Sequence, residues 1–333
     1  MNRSQQIQQL KSTHHWDIII IGGGATGLGA AVDSAARGYK TLLVEQYDFG
    51  KGTSSRSTKL IHGGVRYLQQ GNIRLVRDAL KERGLLLKNA PHLAHPLKLV
   101  MPSYRWYETL YYGLGLKVYN FLSGKLSLGK SEMLSVKRTQ QYIKGLDGKR
   151  LSGGVAYYDG QFDDARLCIT LALTAADVSA TVLNYAKVTE LIRENEKVKG
   201  IIIHDTINNE TYEARGTIVV NATGVFVDDV LKMDDAGLEK AVSPSQGIHI
   251  VVDKQFFPGE QALFIPRTDD GRVLFAVPFH DKVIIGTTDT SIDHPTIEPV
   301  PKEEEVEFVI NHFNRYVHTG LQRSDVKRVF AGL

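Results

Sequence analysis

The sequence has little cysteine, little net charge and no long apolar run. One cysteine, Cys168, occurs among 333 residues, which excludes a disulfide framework and a cysteine-based metal cluster. No stretch approaches the ~20 apolar residues that cross a bilayer, and residues 1–16 lack the apolar segment of a secretion signal. Forty basic residues nearly balance 37 acidic ones, so we expect no nucleic-acid partner.

Common catalytic patterns are missing as well. We find no metal-ligand spacing and expect no metal, and no Gly-x-Ser-x-Gly elbow occurs. Cys168 lies in the apolar helical run 167–171, which indicates a core residue rather than a nucleophile. The single cysteine suits a reducing compartment, so a cytoplasmic protein is expected. A chain of 333 residues exceeds the usual size of one core, which predicts two lobes.

The most informative segment spans residues 17–45. An apolar run leads into a glycine-rich turn, an alanine-rich stretch follows, and a second apolar run ends at Glu45. This order predicts the strand, helix and strand that hold the ADP half of a dinucleotide. Gly22 would make the tight turn, Gly24 would admit a pyrophosphate, and Gly27 would let helix and strand pack closely. Glu45 would accept hydrogen bonds from ribose hydroxyls.

A second signal lies at residues 53–67, where five hydroxyls, three cations, a histidine and a glycine pair occur together. Hydroxyls and backbone N–H groups bind phosphate, and a glycine pair lets a flat ring approach the backbone. A solvated surface loop is the alternative, but apolar residues within the segment favour partial burial. The candidate cofactor-binding residues here are Thr53, Ser54, Ser57, Lys59, His62, Gly63 and Gly64.

Two later predicted strands carry or lead to candidate site residues. The apolar run 218–220 leads to Ala222, Thr223 and Gly224, a turn that would cover the same dinucleotide if its strand lies beside the first unit. In 247–252 the apolar residues alternate, which places His249 on the opposite face of a strand. On this evidence alone, a lone strand histidine is more often structural.

The remaining pattern is mixed. Residues 1–16 read as a flexible lead-in, and 72–89 as an amphipathic helix. A second helix is predicted at 164–180, and a short buried strand at 217–221. A β-meander is predicted over 181–191, 198–205 and 211–214, and alternating strands over 248–252, 262–265, 273–277 and 283–286.

Taken in order, these motifs resemble the FAD-dependent glycerol-3-phosphate dehydrogenases of the aerobic type and the related α-glycerophosphate oxidases. The resemblance covers essentially the whole chain from Asp17. Its most specific parts are 53–67, 163–167, 221–224, 247–252 and 286–289.

The resemblance implies FAD rather than NAD, and a D-amino-acid-oxidase-like α/β fold. A Rossmann-type FAD-binding domain would be joined to a substrate domain with a mixed or antiparallel sheet. The implied division is 17–95 and 156–240 for the FAD-binding domain, 96–155 for substrate or cap elements, 241–320 for the substrate domain and 321–333 for a return to the FAD domain.

The implied reaction is oxidation of sn-glycerol 3-phosphate to dihydroxyacetone phosphate, with hydride passing from C2 to flavin N5 and electrons to a membrane quinone. Arg66 and Tyr67 would face the substrate, with Arg66 on the phosphate. Neutral His249 would be the base, because an ordinary imidazole pKa lies near working pH. The alternatives are an oxidase of glycerol phosphate or of an amino or hydroxy acid that uses O₂, and an inactive flavin-binding fragment.

Three further expectations concern chain length, assembly and membrane contact. Family members continue past Leu333 with more substrate-binding residues, so the chain is expected to be C-terminally truncated, and a homodimer is left open. The aromatic stretch 104–122 contains Arg105, Glu108 and Lys117. It is interpreted as core or lobe interface, with peripheral contact on the cytoplasmic membrane face as the weaker hypothesis.

Overall fold

The computed structural model describes residues 1–268 and 271–333, apart from the side chain of Arg66. Its strands form two sheets. In chain order the strands are β1 (Trp16–Ile21), β2 (Thr41–Val44), β3 (Leu60–Ile61), β4 (Ala94–Ser103), β5 (Glu132–Leu134), β6 (Gly153–Phe162), β7 (Thr181–Leu183), β8 (Ala186–Glu194), β9 (Lys197–Asp205), β10 (Glu210–Asn221), β11 (Ser245–Asp253), β12 (Ala262–Ile265), β13 (Leu274–Phe279), β14 (Lys282–Gly286), β15 (Thr290–Ser291) and β16 (Arg328–Gly332).

The helices lie on the faces and edges of these sheets. They are α1 (Arg3–Ser12), α2 (Ala25–Ala36), α3 (Val65–Gln69), α4 (Ile73–Asn89), α5 (Glu108–Leu122), α6 (Val136–Tyr142), α7 (Asp164–Asp177), α8 (Val227–Asp234) and α9 (Glu303–Tyr316). Short 3₁₀ turns occur at Thr53–Ser55, Gly124–Leu126, Gly224–Phe226, Lys254–Phe256 and Arg323–Asp325.

The first sheet has the order β7-β2-β1-β10-β9-β8. Strands β7, β2, β1 and β10 run parallel, and β10, β9 and β8 form an antiparallel meander. Helices α2 and α7 cover one face with buried apolar side chains, among them Leu28 and Ala172. Cys168 on α7 is fully buried, and that burial raises the pKa of its thiol to about 11. The predicted α/β fold and the βαβ unit at 17–45 are confirmed, and Cys168 is a core residue.

Two strand predictions in this sheet were wrong in detail. The segment 181–191 is two strands, because the chain turns at Asn184 and Tyr185, where Tyr185 has φ +52°. Strand β7 pairs with β2, and only β8 enters the meander. Residues 217–221 continue β10 and are not buried, with Ile218 52% exposed.

The second sheet follows the path β15-β11-β14-β13-β12-β4-β6-β3, with β16 paired to β11 and β5 to β6. Strands β11 to β14 are antiparallel neighbours and match the predicted alternating strands. Buried side chains such as Ile248 and Ile250 pack on α9 across one face, and α4 and α5 cover the other. The predicted helices at 72–89 and 164–180 are also confirmed.

The predicted division of the chain into domains stays a prediction. Strand β16 lies in the segment 321–333, which was expected to return to the FAD domain. In the structure β16 pairs with β11 of the second sheet. Among the described residues, no helix combines the length and the apolar character that crossing a membrane requires.

The N-terminal lead-in is ordered, which corrects the prediction for residues 1–16. Helix α1 lies against β7, where the Gln6 side chain accepts a hydrogen bond from the Val182 N–H at 2.7 Å. Leu10 is buried, and Arg3 forms an ion pair with Asp205 at 2.7 Å. A polar helix therefore covers the edge strand of the first sheet, an arrangement that protects unpaired backbone groups.

Candidate functional site

The glycine turn between β1 and α2 has no room for larger residues. Gly22 has φ +114°, and a Cβ atom there would lie 2.5 Å from the Ala222 carbonyl oxygen. A Cβ atom on Gly27 would lie 2.0 Å from the Gly22 carbonyl oxygen. The geometry agrees with the turn and the close helix–strand packing predicted for these glycines.

A cavity of about 740 Å³ opens above this turn and is called the first cavity. It lies where the parallel strands β1 and β10 end, because these strands are paired in register up to Ile21 and Asn221. Ligands of open α/β sheets bind at this edge. The predicted cofactor residues that line it are Gly22, Gly24, Glu45, Thr53, Ser54, Ala222, Thr223 and Gly224.

Glu45 lies between the cavity and the turn. Its carboxylate accepts hydrogen bonds from the backbone N–H groups of Gly23 at 2.7 Å and Tyr47 at 2.8 Å. Burial raises the pKa of Glu45, and the backbone hydrogen bonds oppose that shift. The residue therefore fixes the glycine turn in addition to offering acceptor oxygens to the cavity.

Thr53 and Ser54 also connect the cavity to its surroundings. The Ser54 hydroxyl accepts a hydrogen bond from the Ala25 N–H at 2.9 Å, so it satisfies a free donor at the start of α2. The Thr53 hydroxyl donates to the carbonyl of Leu333. Lys187 and Leu333 line the same cavity; sequence analysis missed both, because neither stands in a recognisable local motif.

Ser57 and Lys59 are not among the residues that line the first cavity in the described part of the chain. Lys59 Nζ instead donates to the Asp164 carboxylate at 2.6 Å and to the Ser55 carbonyl at 2.7 Å. The Ser57 hydroxyl donates to the second oxygen of Asp164, also at 2.7 Å. These bonds tie the 53–67 loop to the start of α7, so both residues shape the loop.

A second cavity of about 350 Å³ lies on the α4–α5 side of the second sheet. Of the predicted residues, His62, Gly64 and Tyr67 line it. Its other walls are mostly apolar or aromatic and include Leu60, Val65, Leu99, Tyr157, Phe264, Val273 and Phe275, with Asp159 and Gln70 as polar groups. The side chain of Arg66 lies outside the described part of the structure.

His249 lies on the same face of the second sheet. It pairs with Gly286 across β11 and β14, and Gly286 pairs with Phe275 across β14 and β13. Directly paired residues share a face, so His249 lies on the same face as Phe275 of the second cavity, with Gly286 between them. A Cβ atom on Gly286 would lie 2.5 Å from His249 Cδ2, so the imidazole extends over that glycine.

The imidazole of His249 is 4% exposed and stacks on Phe330 with ring centroids 4.9 Å apart. One ring nitrogen, Nε2, is 2.9 Å from the Thr58 hydroxyl, whereas Nδ1 is buried without a partner among the described residues. Burial, with a smaller effect of the Lys59 charge, lowers the pKa of His249 to about 3. The ordinary imidazole pKa assumed from sequence is therefore not the one that this environment produces.

Comparison with known proteins identifies the family of this chain. The family model described as FAD dependent oxidoreductase matches residues 17–333. This chain belongs to that family. The mitochondrial glycerol-3-phosphate dehydrogenase of Mus musculus is 42% identical over 347 residues, covering 100% of this chain and 48% of the mouse protein. The chain thus spans about half the length of the curated relatives that it matches.

Two solved structures have the same fold. The glycerol-3-phosphate dehydrogenase of Bacillus halodurans, complexed with FAD, superposes with a TM-score of 0.82 at 33% identity, over 99% of this chain and 58% of that one. An L-α-glycerophosphate oxidase of Mycoplasma pneumoniae with FAD bound gives a TM-score of 0.76 at 18% identity, over 96% and 83%. The second likeness shows the fold alone.

FAD is the cofactor of this oxidoreductase family, and the first cavity fits it. The glycine turn leaves backbone at the N-terminus of α2, where free N–H groups and the helix dipole favour a pyrophosphate. Glu45 offers acceptor oxygens to a ribose, and the 222–224 turn closes the cavity from β10. No group of His, Cys, Asp and Glu in the described residues has the geometry of a metal site.

Replacing Glu45 by alanine should weaken FAD binding. The change removes a charged acceptor from the cavity and leaves the N–H groups of Gly23 and Tyr47 without their partner, and a hydrogen bond to a charged group contributes ~1.5–3 kcal/mol. Titration of the apo-protein with FAD, followed by flavin fluorescence, measures the loss. An unchanged dissociation constant would show that Glu45 does not bind the ribose.

Replacing His249 by glutamine should make folding less sensitive to acid. The unfolded chain protonates His249 below about pH 6.5, whereas the folded chain does so only near pH 3. Lowering the pH from 7 to 5 therefore favours unfolding by about 2 kcal/mol through this residue, a loss that His249→Gln should not show. Urea unfolding of both proteins at the two pH values tests this, and equal losses would contradict the buried neutral imidazole.

Proposed function

We propose that this chain is the FAD-binding part of a dehydrogenase that oxidises sn-glycerol 3-phosphate to dihydroxyacetone phosphate and passes the electrons to a quinone. The observation that carries the proposal is identity of 42% along the whole chain with a mitochondrial glycerol-3-phosphate dehydrogenase. The alcohol of this substrate must lose a hydride and a proton. Bound FAD supplies the two-electron chemistry, and the protein must supply a proton acceptor and an anion site.

His249 is the proposed proton acceptor. Its low pKa keeps the imidazole neutral throughout the neutral pH range. We assign the tautomer whose Nε2–H donates to the Thr58 hydroxyl, because Nδ1, which has no partner among the described residues, is then the unprotonated nitrogen that takes the substrate hydroxyl proton. A phosphate dianion nearby would raise the pKa of the imidazole and make it a stronger base.

The second cavity is proposed to receive the substrate, with Tyr67 at its wall. The phosphate-binding role of Arg66 stays a prediction from the resemblance; a guanidinium fork matches phosphate geometry better than an ammonium group does. Arg66 belongs to α3, which follows the glycine pair directly. That position supports a role at the same cavity.

Anaerobic reduction of the bound flavin tests the substrate. Full-length protein is mixed with glycerol 3-phosphate, glycine or D-lactate, and the flavin absorbance is followed. Rapid bleaching by glycerol 3-phosphate alone supports the proposal, and bleaching by an amino or hydroxy acid instead would replace it. Reoxidation of the reduced protein by a soluble quinone or by O₂ then separates a dehydrogenase from an oxidase.

The surface of α5 supports contact of this dehydrogenase with a membrane. The helix buries Gly113, Leu116 and Tyr119 on one side. Its opposite side carries an exposed apolar stripe at helical spacing, formed by Tyr107, Leu110, Tyr111, Leu114, Val118 and Phe121. Phe121 is 83% exposed, and Trp106, which directly precedes Tyr107, is 84% exposed. We propose that this stripe lies at a bilayer surface, where the quinone is dissolved.

Serine substitutions at Leu110 and Leu114 should reduce membrane binding. Each side chain is about half exposed, so the folded state should tolerate the change, whereas each loses apolar burial in lipid worth roughly 1 kcal/mol. Full-length protein is floated with anionic liposomes at low salt. Ile207→Ser, at a similarly exposed leucine-sized residue in the β9–β10 turn, is the control. Equal flotation of all variants, or none by the unmutated protein, would contradict the proposal.

A further inference from the structure

A buried ionic cluster lies beneath the glycine pair of the 53–67 loop. It joins Arg83 of α4, Asp159 of β6 and Tyr119 of α5, each 2% exposed. Arg83 donates to Asp159 Oδ1 at 2.6 Å, and the Tyr119 hydroxyl donates to the same oxygen at 2.8 Å. Burial raises the pKa of Asp159, and the nearby Arg83 charge opposes that shift. Burying such charges is costly, so this cluster calls for an explanation beyond packing.

The cluster ends on a backbone group. The Tyr119 hydroxyl accepts a hydrogen bond from the Gly63 N–H at 2.6 Å. Because the hydroxyl gives its own proton to Asp159, the direction of the chain is fixed: Gly63 donates to Tyr119, and Tyr119 donates to Asp159. Chains of this kind strengthen each bond in turn. Arg83 is anchored independently, since it also donates to the Tyr158 carbonyl at 3.1 Å and to the Ser123 hydroxyl at 3.2 Å.

Gly63 packs closely against this cluster. A Cβ atom there would lie 2.4 Å from Leu80 and 2.8 Å from the Tyr119 hydroxyl oxygen. The next residue, Gly64, adopts φ +70° and starts α3. The orientation of the Gly63 peptide therefore sets the direction in which α3 leaves the loop. It also sets the wall of the second cavity, which His62 and Tyr67 line on either side of the glycine pair.

We propose that Arg83, Asp159 and Tyr119 are positioning residues, which hold the Gly63 peptide and the start of α3 in the conformation that receives the flavin ring and substrate. The inference rests on the proposed function, because it takes the glycine pair as the segment that a flat ring approaches. Without the Tyr119 hydroxyl, the turn would sample other orientations in the apo-protein. Only the binding-competent fraction would accept FAD, and apparent affinity falls in proportion to that fraction.

Tyr119→Phe in the full-length protein separates positioning from packing. We expect FAD to bind about tenfold more weakly, as it would if the competent fraction fell to about a tenth. The KM for glycerol 3-phosphate should rise as well. Tyr104→Phe is the matched control. It also removes a buried tyrosine hydroxyl, but that hydroxyl, unlike the one of Tyr119, has no hydrogen-bond partner among the described residues. A lower melting temperature of Tyr119→Phe with unchanged FAD affinity and KM would overturn the proposal.

Hydrogen exchange on the unmutated apo-protein provides a test that no folding failure can obscure. If the cluster orders the loop in advance, amides of the peptide that contains Gly63 should exchange slowly before FAD is added, and FAD should add little protection. Fast exchange in the apo-protein, followed by strong protection with FAD, would show that the cofactor itself orders the turn and would overturn the proposal. If the unmutated protein binds no FAD at all, the proposed function fails, whereas slow exchange would still support preorganisation.

Discussion

Flavin reduction at saturating glycerol 3-phosphate should be about 10²-fold slower in full-length His249→Gln than in the unmutated protein. Loss of a general base typically costs 10²–10⁴-fold, and a base with a low pKa lies toward the smaller end. Burial lowers the pKa of His249 to about 3. A larger effect would indicate that the bound phosphate raises this pKa, because an anion close by stabilises the imidazolium.

Stopped-flow absorbance of the bound flavin measures this rate directly. His204→Gln is the control, since His204 lies on β9 of the first sheet and lines neither cavity. FAD content should be the same in all three proteins. If His249→Gln reduces its flavin at the normal rate, the residue is a structural strand histidine, and another group takes the proton.

The cofactor turn was predictable because its determinants are close in sequence. Gly22, Gly27 and Glu45 act within one βαβ unit, and their backbone requirements can be read from spacing alone. The turn at 222–224 was predicted only on the condition that its strand lies beside β1. The pairing of Ile21 with Asn221 meets that condition. A local pattern thus indicated the structure of each segment, and the sheet order decided which segments share a cavity.

Long-range contacts account for most of what could not be predicted. The cofactor role of Lys59 stays a prediction, and its ion pair with Asp164, 105 residues further along the chain, was not predicted. The ion pair between Arg83 and Asp159 spans 76 residues. Burial of His249, and with it the low pKa, depends on Phe330 and Gly286 from two other strands. None of these contacts has a signature in the local sequence.

Gly27→Ala should abolish FAD binding. The added methyl group would lie 2.0 Å from the Gly22 carbonyl oxygen, which is backbone and cannot rotate away. Helix α2 must therefore shift from β1, and with it the N-terminus that receives the pyrophosphate. Overpacking of this kind costs about 3 kcal/mol, and we expect the protein to be isolated without FAD.

Gly29→Ala, two residues along the same helix, is a closely matched control. A Cβ atom at Gly29 would meet nothing within 4 Å, and alanine is favoured over glycine inside a helix by about 1 kcal/mol. This variant should therefore keep its FAD and unfold at a slightly higher urea concentration. Absorbance of the purified proteins gives the flavin content, and urea unfolding gives the stability. Normal FAD content in Gly27→Ala would mean that α2 and β1 can separate without disturbing the pyrophosphate site, and the close packing at Gly27 would then not be required for cofactor binding.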